Sequence, residues 1–180
     1  MLSGSESKTL LIIAREAIIH HLKGGEYTPS EQMEPALNQC SGCFVTITQN
    51  GQLRGCIGNF QSQQPLYREV VTMAIAAASQ DPRFPPMTRA DLDNFSLEIT
   101  VLSPLEKIDN VNQIEVGTHG IYIIKGLNRG VLLPQVATEY GWDRETFLAQ
   151  TCAKAGLIDD AWQRPDTEIY IFSGQIIRED

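Results

Sequence analysis

The stretch CFVTITQNGQLRGCIG, residues 43–58, decides how this chain is read. Two runs of strand-forming residues flank Asn50-Gly51, a dipeptide suited to the positive φ angles of a type I′ hairpin turn. A tight turn sets its antiparallel partners, so this reading pairs Gln49 with Gln52, Ile47 with Arg54 and Val45 with Cys56. Arg54 and Cys56 then share a face with Val45 and Ile47. A guanidinium beside a thiol favours the thiolate, the nucleophilic form of cysteine. The alternative is that Cys56, small and soft, fills a tight strand position between two glycines.

Outward from the hairpin, helical and strand patterns mix without a βαβ rhythm, which predicts an α+β fold of largely antiparallel strands with packed helices. Upstream, Leu10, Ile13, Ala14, Ala17, Ile18 and His21 fall at helical spacing, residues 1–9 read as a flexible leader, and residues 23–35 read as a connector. Downstream, Leu66, Val70, Met73, Ala74 and Ala77 form a helical stripe. That helix should stop at DPRFPP, where Pro82, Pro85 and Pro86 cannot continue it. FSLEITVLSP alternates like a half-buried strand, and HGIYIIKGLNRGVLLPQ reads as two short strands before a helix opened by Pro134. Asp143 is placed to cap the next helix, with Trp142 and Phe147 as a hydrophobic staple and Gly156 as its C-terminal stop. EIYIFSGQII reads as one closing strand.

The 180 residues suit a single domain, with two lobes allowed, and can bury roughly 70% of the unfolded surface. Asp and Glu outnumber Lys and Arg by 22 to 14, for a net charge of −8. That balance opposes attraction to phosphate backbones and anionic lipid, so nucleic acid is not an expected partner. No apolar run approaches the length of a membrane span or a signal-peptide core, and a cytoplasmic location is expected. Free thiols are then favoured over disulfides. Cys40 and Cys43 have the spacing of half a zinc knuckle, without a second pair to complete it, and no metal site is expected. Neither a phosphate loop nor a dinucleotide fingerprint is present, and no cofactor is expected.

Other residues have chemistry to offer. Gly55 and Gly58 allow a ligand or another backbone to come close, or mark a bulge. Asp81 and Arg83 follow a helix end and can contact a ligand or lock their own turn. His119, at a strand entrance, is the histidine best suited to proton transfer, since an unperturbed imidazole changes charge near neutral pH; a structural hydrogen bond is its alternative role.

LRGCIG, residues 53–58, joins GCFVTI, DPRFPPMTRADL, LEITVLSPLEKI, GTHGIYI, RGVLLPQVATEYGWDRETFLAQTCAKAGL and DAW in an order and spacing that resemble the AMMECR family, from about Leu10 to the C-terminus. The resemblance implies one AMMECR-type domain over residues 1–180, with a larger and a smaller lobe. It also implies association with Memo-like proteins and radical-SAM enzymes, and it brings no reaction with it. The Cys40–Cys43 pair departs from the family pattern. Gln135 and Lys154 lie in matching segments. Two functions stay open: a protein that binds a small polar ligand or substrate around LRGCIG, with Cys56 and His119 as reacting groups, or a non-enzymatic adaptor. In the first, Arg54, Gly55, Gly58, Asp81, Arg83 and Gln135 contact the ligand.

Overall fold

The computed structural model describes residues 1–179. In chain order the elements are helix α1 (Gly4–Leu22), helix α2 (Pro35–Asn38), strands β1 (Cys43–Gln49) and β2 (Gln52–Asn59), and helix α3 (Leu66–Ser79). Strands β3 (Ser96–Leu102), β4 (Glu106–Ile108), β5 (Gly120–Lys125) and β6 (Asn128–Leu132) follow. Helices α4 (Pro134–Glu139) and α5 (Arg144–Lys154) and strands β7 (Glu168–Phe172) and β8 (Gly174–Arg178) complete the chain. Among the described residues the strands form two four-stranded sheets, ordered β2-β1-β3-β8 and β4-β7-β5-β6, and the fold is α+β. The chain divides into two compact units: Met1–Leu102 with the segment from Gln175 onward, and Ser103–Gly174. No helix among the described residues is long and apolar enough to cross a membrane.

In the first unit, the expected flexible leader is helical from Gly4. The Ser3 hydroxyl accepts from the Glu6 N–H while the Glu6 carboxylate accepts from the Ser3 N–H, so two donors orphaned at a helix start are satisfied and α1 begins early. Its residues Leu10, Ile13, Ala14, Ala17 and Ile18 are buried as the spacing predicts. They join the α3 stripe and the inward residues of β1 and β3 in one core. Helix α3 starts after Pro65 and stops at Ser79, before DPRFPP.

The hairpin turns at Asn50-Gly51, with φ of 51° and 75°, and Gln49 pairs with Gln52 as expected. The register beyond it differs from the simple reading. Thr48 pairs with Leu53 and Ile47 with Gly55, leaving Arg54 as the extra residue of a β-bulge. Cys56 therefore pairs with Thr46, not Val45, and lies on the face opposite the fully buried Val45 and Ile47. The physical reason lies in the core. Without the bulge, Arg54 would sit opposite Ile47 and its guanidinium would be buried under the helices, at a cost of several kcal/mol. With the bulge, that place falls to Gly55, and a Cβ there would stand 2.1 Å from the Ala77 carbonyl oxygen.

In the second unit, Asp143 caps α5 by accepting from the Thr146 N–H, and Trp142 and Phe147 pack in the same cluster. Gly156 ends this helix at φ 72°. The single closing strand expected over EIYIFSGQII is two strands in two different sheets. Ser103 takes both backbone groups of Ser173: its Oγ accepts from the Ser173 N–H at 2.9 Å, and its N–H donates to the Ser173 carbonyl at 2.8 Å. Those bonds hold Ser173, the one residue between β7 and β8.

Gly55→Ala is expected to lower unfolding stability by about 2 kcal/mol or more, because a Cβ has no room beneath Ala77. Gly4→Ala, with nothing within 4 Å of the added Cβ, should leave stability unchanged or slightly raised. Urea denaturation of both variants checks this, and equal midpoints would contradict it.

Candidate functional site

The outer edge of β2 gathers four of the six polar or reactive residues singled out in the sequence. Strand β2 ends its sheet, so the backbone of Cys56 turns one N–H and one carbonyl away from β1. Asp81, just beyond α3, accepts the Cys56 N–H at 2.8 Å through Oδ2. Arg83 donates to the Cys56 carbonyl at 3.3 Å and to Asp81 Oδ2 at 2.7 Å from the same Nη2. It donates again to Asp81 Oδ1 from Nε at 2.9 Å and from its backbone N–H at 3.1 Å. Asp81 is only 5% exposed, while the Arg83 side chain keeps 54% of its surface in solvent. The pair both locks its turn and closes the sheet edge at Cys56.

Those bonds set the electrostatics. The hydrogen-bonded Arg83 guanidinium is the main cause holding the Asp81 carboxyl well below the usual carboxylate range; burial opposes the shift and the Cys56 N–H adds to it. Arg83 is raised above its ordinary value, chiefly by the bond to Asp81. Arg83 is thus a cation bonded to the backbone carbonyl of Cys56. Arg54, expected in that role, donates from Nη1 to the Pro85 carbonyl at 2.7 Å and ties the 81–91 loop to the bulge.

The Cys56 side chain is half-buried, and the Thr46 hydroxyl donates to its Sγ at 3.2 Å. The non-hydrogen-bonded pairing across the hairpin brings these two side chains together. All four cysteines are free: Cys40 is exposed, and Cys43 and Cys152 are buried. Burial pushes both buried thiols up, most strongly Cys43, with the carboxylate of Glu69 adding to the effect there.

The motif glycines have packing roles. Gly55 faces Ala77, and a Cβ on Gly58 would lie 2.4 Å from the Phe44 ring. His119 and Gln135 belong to the second unit. His119 Nδ1 accepts from the Glu115 N–H at 3.1 Å and the His119 backbone N–H donates to the Glu115 carbonyl, so the residue closes a tight turn. With Nδ1 accepting, a neutral ring carries its proton on Nε2. Gln135 is exposed in the first turn of α4, where its carbonyl accepts from the Thr138 hydroxyl. Lys154 is exposed near the end of α5.

Two residues escape a reading of the sequence alone. Thr46 is visible as a partner of Cys56 only once the bulge is known. Glu69 is 2% exposed and its carboxylate accepts from Asn59, Ser62 and Gln64 at 2.6–2.7 Å, pinning the segment that leaves LRGCIG. Its place three residues after Leu66 and four before Met73, on an apolar stripe, is the signal that could have found it.

The chain matches the AMMECR1 family over residues 11–177 and belongs to it. It is 44% identical to a protein of Methanothermobacter thermautotrophicus, over 99% of this chain and 97% of that one. It is 43% identical to protein NEQ441 of Nanoarchaeum equitans, over 93% and 97%. The crystal structure of the uncharacterized protein PH0010 from Pyrococcus horikoshii is similar, with a TM-score of 0.77 at 41% identity, covering 95% of this chain and 90% of the other.

Asp81→Asn should destabilise the protein by about 2 kcal/mol near neutral pH, since it weakens the acceptor for a buried backbone N–H. The folded carboxyl titrates below the unfolded one, near 3.9, so its contribution is complete above that range and is lost as pH falls toward the folded value. Denaturation across pH should therefore show a constant gap between wild type and Asp81→Asn above about pH 5 that narrows below about pH 4. A gap independent of pH would contradict the assignment.

Proposed function

We propose that this protein binds a small polar ligand or substrate at the LRGCIG segment, with Cys56 as the reacting or attaching group, and that it works alongside Memo-like and radical-SAM proteins. One observation carries the ligand reading. Cys56 offers a half-buried thiol on a backbone held at both polar groups by Asp81 and Arg83, while its sulfur accepts from Thr46. A nucleophile fixed in this way needs little reorganisation to meet a bound ligand. Arg83, half-exposed, paired with Asp81 and bonded to the Cys56 carbonyl, is the cation nearest to negative charge developing there. The partner reading rests on family resemblance.

A second reading, a non-enzymatic adaptor, is favoured by the glycines. Gly55 and Gly58 are both accounted for by close packing against Ala77 and Phe44, so a purely structural segment also requires them.

The two readings separate on Cys56. Native-state alkylation should modify Cys40 and Cys56 and spare Cys43 and Cys152 until the protein is unfolded, with Cys56→Ser identifying the Cys56 product by mass spectrometry. Affinity capture from the protein's own cells should then recover a small molecule with wild type and lose it with Cys56→Ser, while captured proteins stay the same. Retention of the small molecule by the Ser variant, or a thiol silent until unfolding, would favour the adaptor.

A further inference from the structure

We propose that two copies of this chain join through the free edge of β8, so that the first unit's sheet continues from one copy into the other. Strand β8 ends that sheet, with β3 on one side of it only. Its register is set at both ends: the Ser103 N–H donates to the Ser173 carbonyl, and the Glu179 N–H donates to the Leu97 carbonyl. One antiparallel register accounts for both bonds, so β8 runs without a bulge. Backbone groups alternate along such a strand. Residues 173, 175, 177 and 179 turn theirs toward β3, and Gly174, Ile176 and Arg178 turn theirs outward.

The two edges of this sheet differ. At β2, a bulge and the Asp81–Arg83 pair close the backbone around Cys56. Strand β8 contains no proline, and its one charge, Arg178, stands at its end, bonded to Glu98 of β3. Ile176, at its midpoint, is 54% exposed. A groove of about 520 Å³ runs beside it, walled by Leu11 and Ile12 of α1 and by Ile177. Edges that stay in solvent are blunted by bulges, prolines or charges, and this one is not.

The order of the outward residues selects a second copy as the occupant. Antiparallel pairing of β8 with itself, about a two-fold axis at Ile176, sets Ile176 against the partner's Ile176 and Gly174 against the partner's Arg178. Every outward N–H and carbonyl of the strand then has a partner. The two isoleucines cover each other, each guanidinium faces a glycine while keeping its own Glu98, and the two arginines lie at opposite ends, so no like charges meet. A slip of two residues would leave one outward residue of each copy unpaired and separate the isoleucines. The edge is therefore self-complementary, as a two-fold interface requires.

Sedimentation velocity of the full chain from about 1 to 200 µM tests the proposal. Three residue pairs make a small interface, and a dimer of about 40 kDa with a Kd on the order of 10 µM is expected from a chain of 20.0 kDa. Ile176→Lys, which sets two ammonium groups on the axis, should weaken it tenfold or more. Ile176→Pro removes only an outward N–H and should do the same. Ile158→Lys, at an exposed position of the second unit, should have no effect. Urea denaturation confirms that each variant is folded. Directly opposed residues lie about 5.5 Å apart between Cα atoms, within disulfide range. In a background of Cys40→Ser and Cys56→Ser, Ile176→Cys should therefore oxidise rapidly to a covalent dimer, and Leu127→Cys, more exposed, slowly. A monomer at every concentration, a dimer indifferent to Ile176→Lys, or equal cross-linking at the two positions would each overturn the proposal.

Discussion

A guanidinium cannot be buried beneath α3, and the geometry around Cys56 depends on that constraint. The bulge at Arg54 keeps this charge out of the core and puts Gly55 under Ala77 in its place. One extra residue reverses the faces of everything after it on β2. Cys56, which an unbulged hairpin would place beside Val45 in the core, comes out opposite Thr46. The exposure of the thiol and the close seating of the helix are two results of the same slip.

The close seating in turn decides what reaches the strand. Helix α3 ends at Ser79, so Asp81 arrives beside the β2 edge, where a carboxylate can take the Cys56 N–H. Arg83, two residues on, satisfies the carbonyl of the same residue. An edge strand with open backbone groups invites pairing with other chains. Here that edge is closed at Cys56 by Asp81 and Arg83 while the side chain stays half-buried, so the position is sealed to strand addition.

The first unit is discontinuous in sequence: the chain leaves it after Leu102 and returns at Gln175. Its last strand is held by long-range bonds. Glu179 accepts from Arg15 at 2.6 Å and from the Leu97 N–H at 2.9 Å, and the Gln175 amide exchanges two hydrogen bonds with the backbone of Leu2. Arg15 also lies over the Phe95 ring, 4.2 Å from its centroid. These contacts join both chain ends to one sheet and offset the entropy of closing the long excursion between them.

Features set by neighbouring residues were legible in the sequence alone. The Asn50-Gly51 turn, the stop of α3 at its prolines, the Asp143 cap with Gly156, and the buried stripes of α1 and α3 each follow from local backbone preference or from periodicity. Local chemistry also marked Asp81 and Arg83 as partners. Tertiary structure alone decided the rest, because the deciding groups lie far apart in the chain. The bulge answers to a helix more than twenty residues away, as does the reversal of Cys56; the split of EIYIFSGQII answers to Ser103; the early start of α1 is the local exception, a capping box that the pattern of apolar residues passes over. Cys56 was conspicuous in the sequence as a residue type, but its neighbours Thr46, Asp81 and Arg83 were assembled by the register of a sheet and the end point of a helix, which no local pattern encodes.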